Sequence, residues 1–330
     1  MEKILVILLA LMFFAGDAEA VELPAQDSFD KVTTQTDTES QPQGVNNSES
    51  TAPAEQKHNL SQDEQTVKKT ESPVATHKLN YFAINNLPGN DKAQVKFQIS
   101  MKFQILKPDL YFLKYNVFPA YFAYTQMSLW DVGQPSAPFE ESNYNPEFFL
   151  DYPVNAGITG RIKLRNIVVS PFEHESNGLA GVQSRSWNRQ YVLIRFGLES
   201  KEKMEVTNSF LSDKALLYVK LWHAYGYEDE TAYLQSIGSN STFLDYMGRG
   251  EVGISVRNFL WGGSLKDHQL DIRTPIFRDV NKDSYKFEFR QQIPNMNFAI
   301  YLQYWYGYGE TLLRFDQFGR RGFAGLSFSY

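Results

Sequence analysis

The sequence predicts an all-β protein, a transmembrane antiparallel β-barrel of twelve strands. Three observations lead there. The chain opens with a secretory leader. No later apolar run reaches the 18 or so residues that a membrane-crossing helix needs. The remainder is built from period-two segments rich in aromatic and β-branched residues, separated by Gly, Asn, Asp and Ser.

The leader is residues 1–20, with Lys3 at its start, an apolar stretch Ile4–Ala15 and a small-x-small end at Ala18-Glu19-Ala20. Its apolar stretch is too short to span a bilayer, so it reads as a cleaved signal peptide. Residues 21–78 are rich in Ser, Thr, Gln, Glu, Asp and Pro, with one aromatic residue, Phe29. Such a segment buries too little apolar surface to offset chain entropy and reads as a disordered, periplasmic stretch. The acidity is concentrated here. Residues 1–78 hold six Lys+Arg against thirteen Asp+Glu, whereas 79–330 hold 26 against 25. A nearly neutral body gives no support for nucleic-acid binding. With no cysteine in the chain, disulfide scaffolds, thiolate metal sites and cysteine nucleophiles are excluded.

The body, residues 79–330, yields twelve strands in order: Leu79–Asn86, Gln94–Leu106, Ala120–Trp130, Asn143–Tyr152, Gly160–Glu175, Arg185–Gly197, Ala215–Tyr225, Gly250–Leu260, Leu265–Thr274, Ser284–Ile293, Met296–Tyr308 and Gly322–Tyr330. A spanning strand takes about 9–11 residues, and the rest of the length suits turns and loops. Arg161, Lys163, Arg165, Glu173 and Glu175 fall on odd positions, while Leu164, Val168 and Phe172 fall on even ones. Arg189 and Arg195 continue the charged face in the next strand, with Val192, Ile194 and Phe196 on the apolar one. A soluble sandwich would show the same alternation. The leader, the aromatic group Tyr301, Tyr304, Trp305, Tyr306 and Tyr308, and the aromatic C-terminal strand favour a membrane barrel with interfacial girdles.

One segment carries chemistry. His174 and Ser176 are i and i+2 on a strand, so their side chains share a face. An imidazole beside a hydroxyl can take its proton and make it a nucleophile. Asn177–Arg185 reads as the connecting loop. If paired residues across the hairpin sum to 362, Ser176 faces Ser186 and His174 faces Asn188. Asn188 can then orient the imidazole, as the third member of a triad does. All three lie on the even, apolar face with Phe172, Val192 and Ile194, which turns the site toward lipid and not toward the lumen. An ionised aspartate there would carry a large desolvation cost, while asparagine accepts the imidazole N–H without charge. The other two histidines of the body, His223 and His268, read as structural.

These residues resemble the signature of the outer membrane phospholipase A family, calcium-dependent barrels of Gram-negative bacteria. The resemblance rests on His174-Glu175-Ser176-Asn177-Gly178 followed by Ser184-Arg185-Ser186-Trp187-Asn188-Arg189. Further matches are Tyr124–Trp130, Ser136-Ala137-Pro138-Phe139, Asn143-Tyr144 and Gly307-Tyr308-Gly309-Glu310, so the likeness spans residues 79–330. It implies hydrolysis of sn-1 and sn-2 acyl esters of membrane phospholipids, and of lysophospholipids, in the outer membrane. Ser176 is then the nucleophile, His174 the general base, Asn188 the orienting residue and the Gly178 N–H an oxyanion donor. It also implies a Ca²⁺ ion held by the Leu179 carbonyl, the Ser184 hydroxyl and the Ser136 carbonyl of a second subunit, hence a homodimer, with Gln126 at the contact. The loop carboxylate that serves a second calcium site in the family corresponds to Gly181 here, which leaves that second site in doubt.

Overall fold

The computed structural model describes residues 74–86, 92–106, 111–112, 115–116, 119–199, 213–259 and 267–328. The leader and nearly all of the polar segment 21–78 lie outside the described residues.

Twelve antiparallel strands form the wall: β1 Asn80–Ile84, β2 Val95–Leu106, β3 Ala120–Trp130, β4 Phe139–Thr159, β5 Ile162–Ser176 and β6 Ser186–Glu199. They continue as β7 Asp213–Tyr225, β8 Gly250–Arg257, β9 His268–Ile276, β10 Ser284–Gln292, β11 Phe298–Gly307 and β12 Gly319–Phe328. Each strand pairs with its sequence neighbours, and β12 closes the ring on β1 through Ala324–Ile84 to Phe328–Asn80. Closure leaves no open edge, which a strand structure in lipid requires. Both ends of the wall fall at one rim. The opposite rim carries the connections 177–185, 226–249 and 308–318, the second of which holds two helices, α1 Glu228–Ser236 and α2 Phe243–Met247.

The barrel starts earlier than the predicted boundary at residue 79. Val74–Thr76 pairs with Met101–Phe103 of β2, in line with β1. Between the two pieces, side chains replace the ladder: the Lys78 N–H donates to Ser100 Oγ at 3.0 Å and Gln98 Nε2 to the Leu79 carbonyl at 2.7 Å. His77 and Lys78, assigned by sequence to the tail, lie inside the barrel. His77 Nε2 is 2.7 Å from Glu147 Oε1 and its ring stacks on Phe149. The alternation that marks the other strands could not place this piece, because it is only three residues long and follows a polar tract.

The outer face is apolar, with Phe82, Ile99, Phe122, Leu217, Leu221, Ile300, Leu302 and Leu326 exposed. The inner face is charged and aromatic around a cavity of ≈ 400 Å³. Glu288, Lys286 and Arg273 form one ionic cluster there. At the loop rim, Trp187, Leu234, Phe243, Leu244, Tyr246, Leu312 and Phe315 pack into an apolar cap. Glu310 fixes the 308–318 connection beneath it through Lys96 at 2.9 Å and Arg321. Burial alone would raise the Glu310 carboxyl, but those two cations hold it below the ordinary carboxylate range.

Two expectations are corrected, the parity-based facing of Val168 and the reading of the Tyr301–Tyr308 aromatics as an interfacial girdle. Val168 is 2% exposed in an inner cluster with Ala123, Phe149, Tyr191 and Leu193, not on the lipid face. The register of β5 shifts between Ser170 and Glu173, and a bulge reverses which parity points inward. In the aromatic group of β11, Tyr301 and Trp305 are buried inside and only Tyr304 is among its strongly exposed members. A period of two must split consecutive aromatics between wall faces.

Candidate functional site

The β5 bulge puts Glu173 and Glu175 inside and His174 and Ser176 outside. The inward carboxylates pin the strand. Glu173 meets Arg189 at 2.9 Å and Lys220 at 3.0 Å. Glu175 accepts from Arg189 Nη2 at 2.8 Å and Trp187 Nε1 at 3.0 Å. From β4, Asn145 Nδ2 donates to the His174 carbonyl at 2.6 Å. Ionic anchors on one side of the wall thus fix the backbone whose other side carries the site.

The hairpin pairs Ser176 with Ser186 and His174 with Asn188, the register the sequence predicts. His174 Nδ1 and Asn188 Oδ1 are 2.8 Å apart. The carboxamide oxygen can only accept, so Nδ1 is the donor in this contact, which leaves Nε2 as the ring nitrogen turned away from Asn188. His174, Ser176 and Asn188 are half-buried, beside the exposed Phe172.

Two tyrosines that sequence reasoning gave no role flank this pair. Tyr144 of β4 is the cross-strand partner of Ser176, and Tyr225 of β7 that of Asn188. Both are exposed. Cross-strand pairing could have found Tyr225 only from the register of β6 with β7, which the connection of more than ten residues between them hides. His223 lies on the same strand, stacked with Tyr225, and His268 is buried against Phe259.

The loop after β5 is held by Asn177, whose Oδ1 accepts from the N–H of Leu179 (3.2 Å) and of Arg185 (3.0 Å). Asn177 Nδ2 donates to the Gln183 carbonyl at 2.7 Å, and a 3₁₀ turn covers Gly181–Gln183. Gly178 has φ 66°, and a Cβ on it would meet Tyr144 Cε2 at 2.7 Å. Both the left-handed backbone and the close ring require glycine there. On the far side, Gly226 has φ 70°, and its Cβ would lie 2.7 Å from Asn188 Nδ2. The carboxamide therefore rests against bare backbone.

Leu179 and Ser184 share this loop with Gly178. Ser136 lies apart, on the β3–β4 connection at the same rim, with a left-handed φ of 64° followed by Ala137 at 40°. Among the described residues no group of three or more His, Asp or Glu side chains is arranged to hold a metal. The donors the loop offers are a carbonyl and a hydroxyl oxygen, hard ligands of the kind Ca²⁺ takes. They fit that ion, with two of the six to eight oxygens it prefers coming from one subunit.

A closed antiparallel barrel with a histidine, a serine and an asparagine on its lipid side is a membrane-embedded hydrolase in form. The chain belongs to the Phospholipase A1 family, whose model matches residues 55–328. That match begins before residue 79, in keeping with the early start of the barrel. The Phospholipase A1 of Proteus vulgaris is 27% identical over 256 residues, 73% of this chain and 72% of its own. A relative from Neisseria meningitidis is 28% identical over 233 residues, and there the chain spans about half (52%) of the relative's length. Among solved structures, outer membrane phospholipase A from Escherichia coli superposes with a TM-score of 0.61 at 22% identity, covering 79% of this chain and 94% of that one. The outer membrane phospholipase of Salmonella typhi, a dimer with bound calcium, gives 0.59 at 22% identity, covering 81% and 94%. Fold and family are those of an outer-membrane enzyme.

Proposed function

We propose that this protein hydrolyses sn-1 and sn-2 acyl esters of glycerophospholipids and lysophospholipids in the outer membrane through an acyl-serine intermediate. The observation that carries the reading is the 2.8 Å contact of His174 Nδ1 with Asn188 Oδ1, beside Ser176 on the lipid face. Ser176 Oγ attacks the ester carbonyl while His174 Nε2 takes its proton. The same imidazole then protonates the departing alkoxide of the lysolipid. Asn188 keeps the ring in the required tautomer. The Gly178 N–H is the donor assigned to the developing oxyanion. Water, deprotonated by His174, then releases the fatty acid and frees Ser176.

Leu179 and Ser184, with Ser136 of a second copy, would hold Ca²⁺, which supplies positive charge for the oxyanion. The all-oxygen donor set and the calcium-bound dimer of the Salmonella relative support this reading. A dimer is further supported by an unbroken outward row across neighbouring strands, Gln126–Tyr144–Ser176–Ser186. Gln126 is two strands from Ser176, roughly 10 Å at normal strand spacing, so a partner seated on Gln126 reaches the site.

The test is labelling with a long-chain sulfonyl fluoride in detergent micelles. Peptide mapping should find the adduct on Ser176, and Ser176→Ala should lose both label and lipid hydrolysis, by several powers of ten, while remaining a heat-modifiable barrel. Full hydrolysis by Ser176→Ala would end the assignment.

A further inference from the structure

Strand β7 stops pairing with β6 at Tyr225–Asn188, whereas β6 continues to Ser186 on its β5 side. The Asn177 N–H donates to the Arg185 carbonyl, so the Arg185 backbone points to β5 and the next amide, Ser186 N–H, points to the vacated β7 side. Glu230 of α1 takes it: a carboxylate 1% exposed whose Oε1 accepts from Ser186 N. Three residues along the same helix face, the Tyr233 ring carries the Arg185 guanidinium at 4.3 Å. That guanidinium donates to the carbonyls of Val182 (2.9 Å) and Ser184 (2.7 Å). Leu234, fully buried in the apolar cap with Trp187 and Phe315, seats the helix.

We propose that α1 is a brace for the site loop, and that Glu230 and Tyr233 are positioning residues that hold 177–186 in its calcium-binding form. The idea rests on the functional reading above and deepens it. Leu179 and Ser184 offer only two oxygens per subunit, so their spacing must be set beforehand for the ion to be held at all. Asn177 ties the loop from within. Glu230 ties its last residue, and Arg185, stacked on Tyr233, ties the carbonyls on either side of Gln183. Neither positioning residue touches lipid or reacting atoms in this scheme.

The full-length protein in detergent micelles serves for the test, with Glu230→Ala, Glu230→Gln and Tyr233→Leu. Three quantities are read: hydrogen exchange of the 177–186 amides without calcium, calcium affinity by calorimetry, and kcat and KM on a lysophospholipid. Glu230→Ala should speed loop exchange and weaken calcium about tenfold, the scale of losing a charge-assisted hydrogen bond. Glu230→Gln keeps an acceptor oxygen and should recover to within about threefold. Tyr233→Leu should loosen the loop likewise. KM at saturating calcium and the heat-induced gel shift should stay as in the wild type. Unchanged loop exchange in Glu230→Ala, or Glu230→Gln no better than Glu230→Ala, overturns the brace. A wild type that binds no calcium overturns the calcium role together with the reading it rests on, a result the exchange measurement separates from failure of the brace.

Discussion

Replacing Lys78 by Met should destabilise the barrel through a single luminal carboxylate. The Lys78 ammonium lies 3.0 Å from Glu147 Oε1 and 3.7 Å from Glu173 Oε1, and donates to Asn145 Oδ1 at 2.6 Å. Glu173 keeps Arg189 and Lys220, so the loss falls on Glu147, which is left with His77 and the Tyr191 hydroxyl at 2.6 Å. Stripping one partner from a fully buried pair costs about 3–5 kcal/mol. Lys78 is 35% exposed and faces the cavity of ≈ 400 Å³, which is wide enough for water, so screening reduces the cost to about 1–2 kcal/mol. At about 2–4 °C per kcal/mol for a domain of this size, the transition should drop about 2–8 °C. Heat-modifiability on gels, stepped in temperature, measures it. Adding Glu147→Gln to Lys78→Met removes the orphaned charge and should restore part of the loss. The reasoning fails if Lys78→Met melts with the wild type, or if the double variant is no more stable than Lys78→Met. A chain begun at Leu79 should fare worse than Lys78→Met, because the ladder of Val74–Thr76 goes with it.

Gly226→Ala should cost activity through Asn188. Its Cβ meets the carboxamide, so kcat should fall about tenfold, whereas Gly238→Ala, with φ 75° and nothing within 4 Å, bears only the backbone strain of about 1–2 kcal/mol and should retain kcat; equal kcat in the two variants would refute it. Calcium and dimer should be one linked equilibrium. Chelator should lower the dimer fraction in sedimentation and the rate together, Ser184→Ala should weaken both, and Ser176→Ala should abolish only the rate. A monomer turning over at full rate would refute that linkage.

What could be read from the sequence follows from what short-range geometry determines. The position of His174, Ser176 and Asn188 on one face needs only strand parity and one hairpin register, both local. The parity argument holds for them because all three lie beyond the β5 bulge. It fails for Val168, which lies between that bulge and a second register shift at Leu164/Asn166, since an unpaired residue reverses the facing up to the next shift and leaves no composition signal. His77 and Lys78 were hidden because their partners, Glu147 and Glu173, are about seventy and ninety-five residues away. Glu230 was hidden for the same reason: nothing in a helix between two strands announces that one of its carboxylates will finish the edge of a third.

The arrangement also decides against a passive pore. A porin directs its charges at water in transit. Here Glu147 pairs with Lys78, and Glu173 with Arg189 and Lys220, inside the barrel, and Trp187, Phe243 and Phe315 pack together at the rim. Those interior charges act on the outside by fixing the backbone of β5 and β6, residue by residue: Glu173 and Glu175 alternate with His174 and Ser176, and Arg189 adjoins Asn188. An acyl chain is insoluble in the lumen but at home against the wall, beside Phe172, Tyr144 and Tyr225. The triad proposed above faces lipid and has to avoid a permanent charge, which would cost several kcal/mol unpaired at the wall. The carboxamide of Asn188 satisfies that demand, while the carboxylates needed for rigidity stay on the wet side. The strand's period of two separates the two requirements, so the barrel wall is both the scaffold and the insulation of the site.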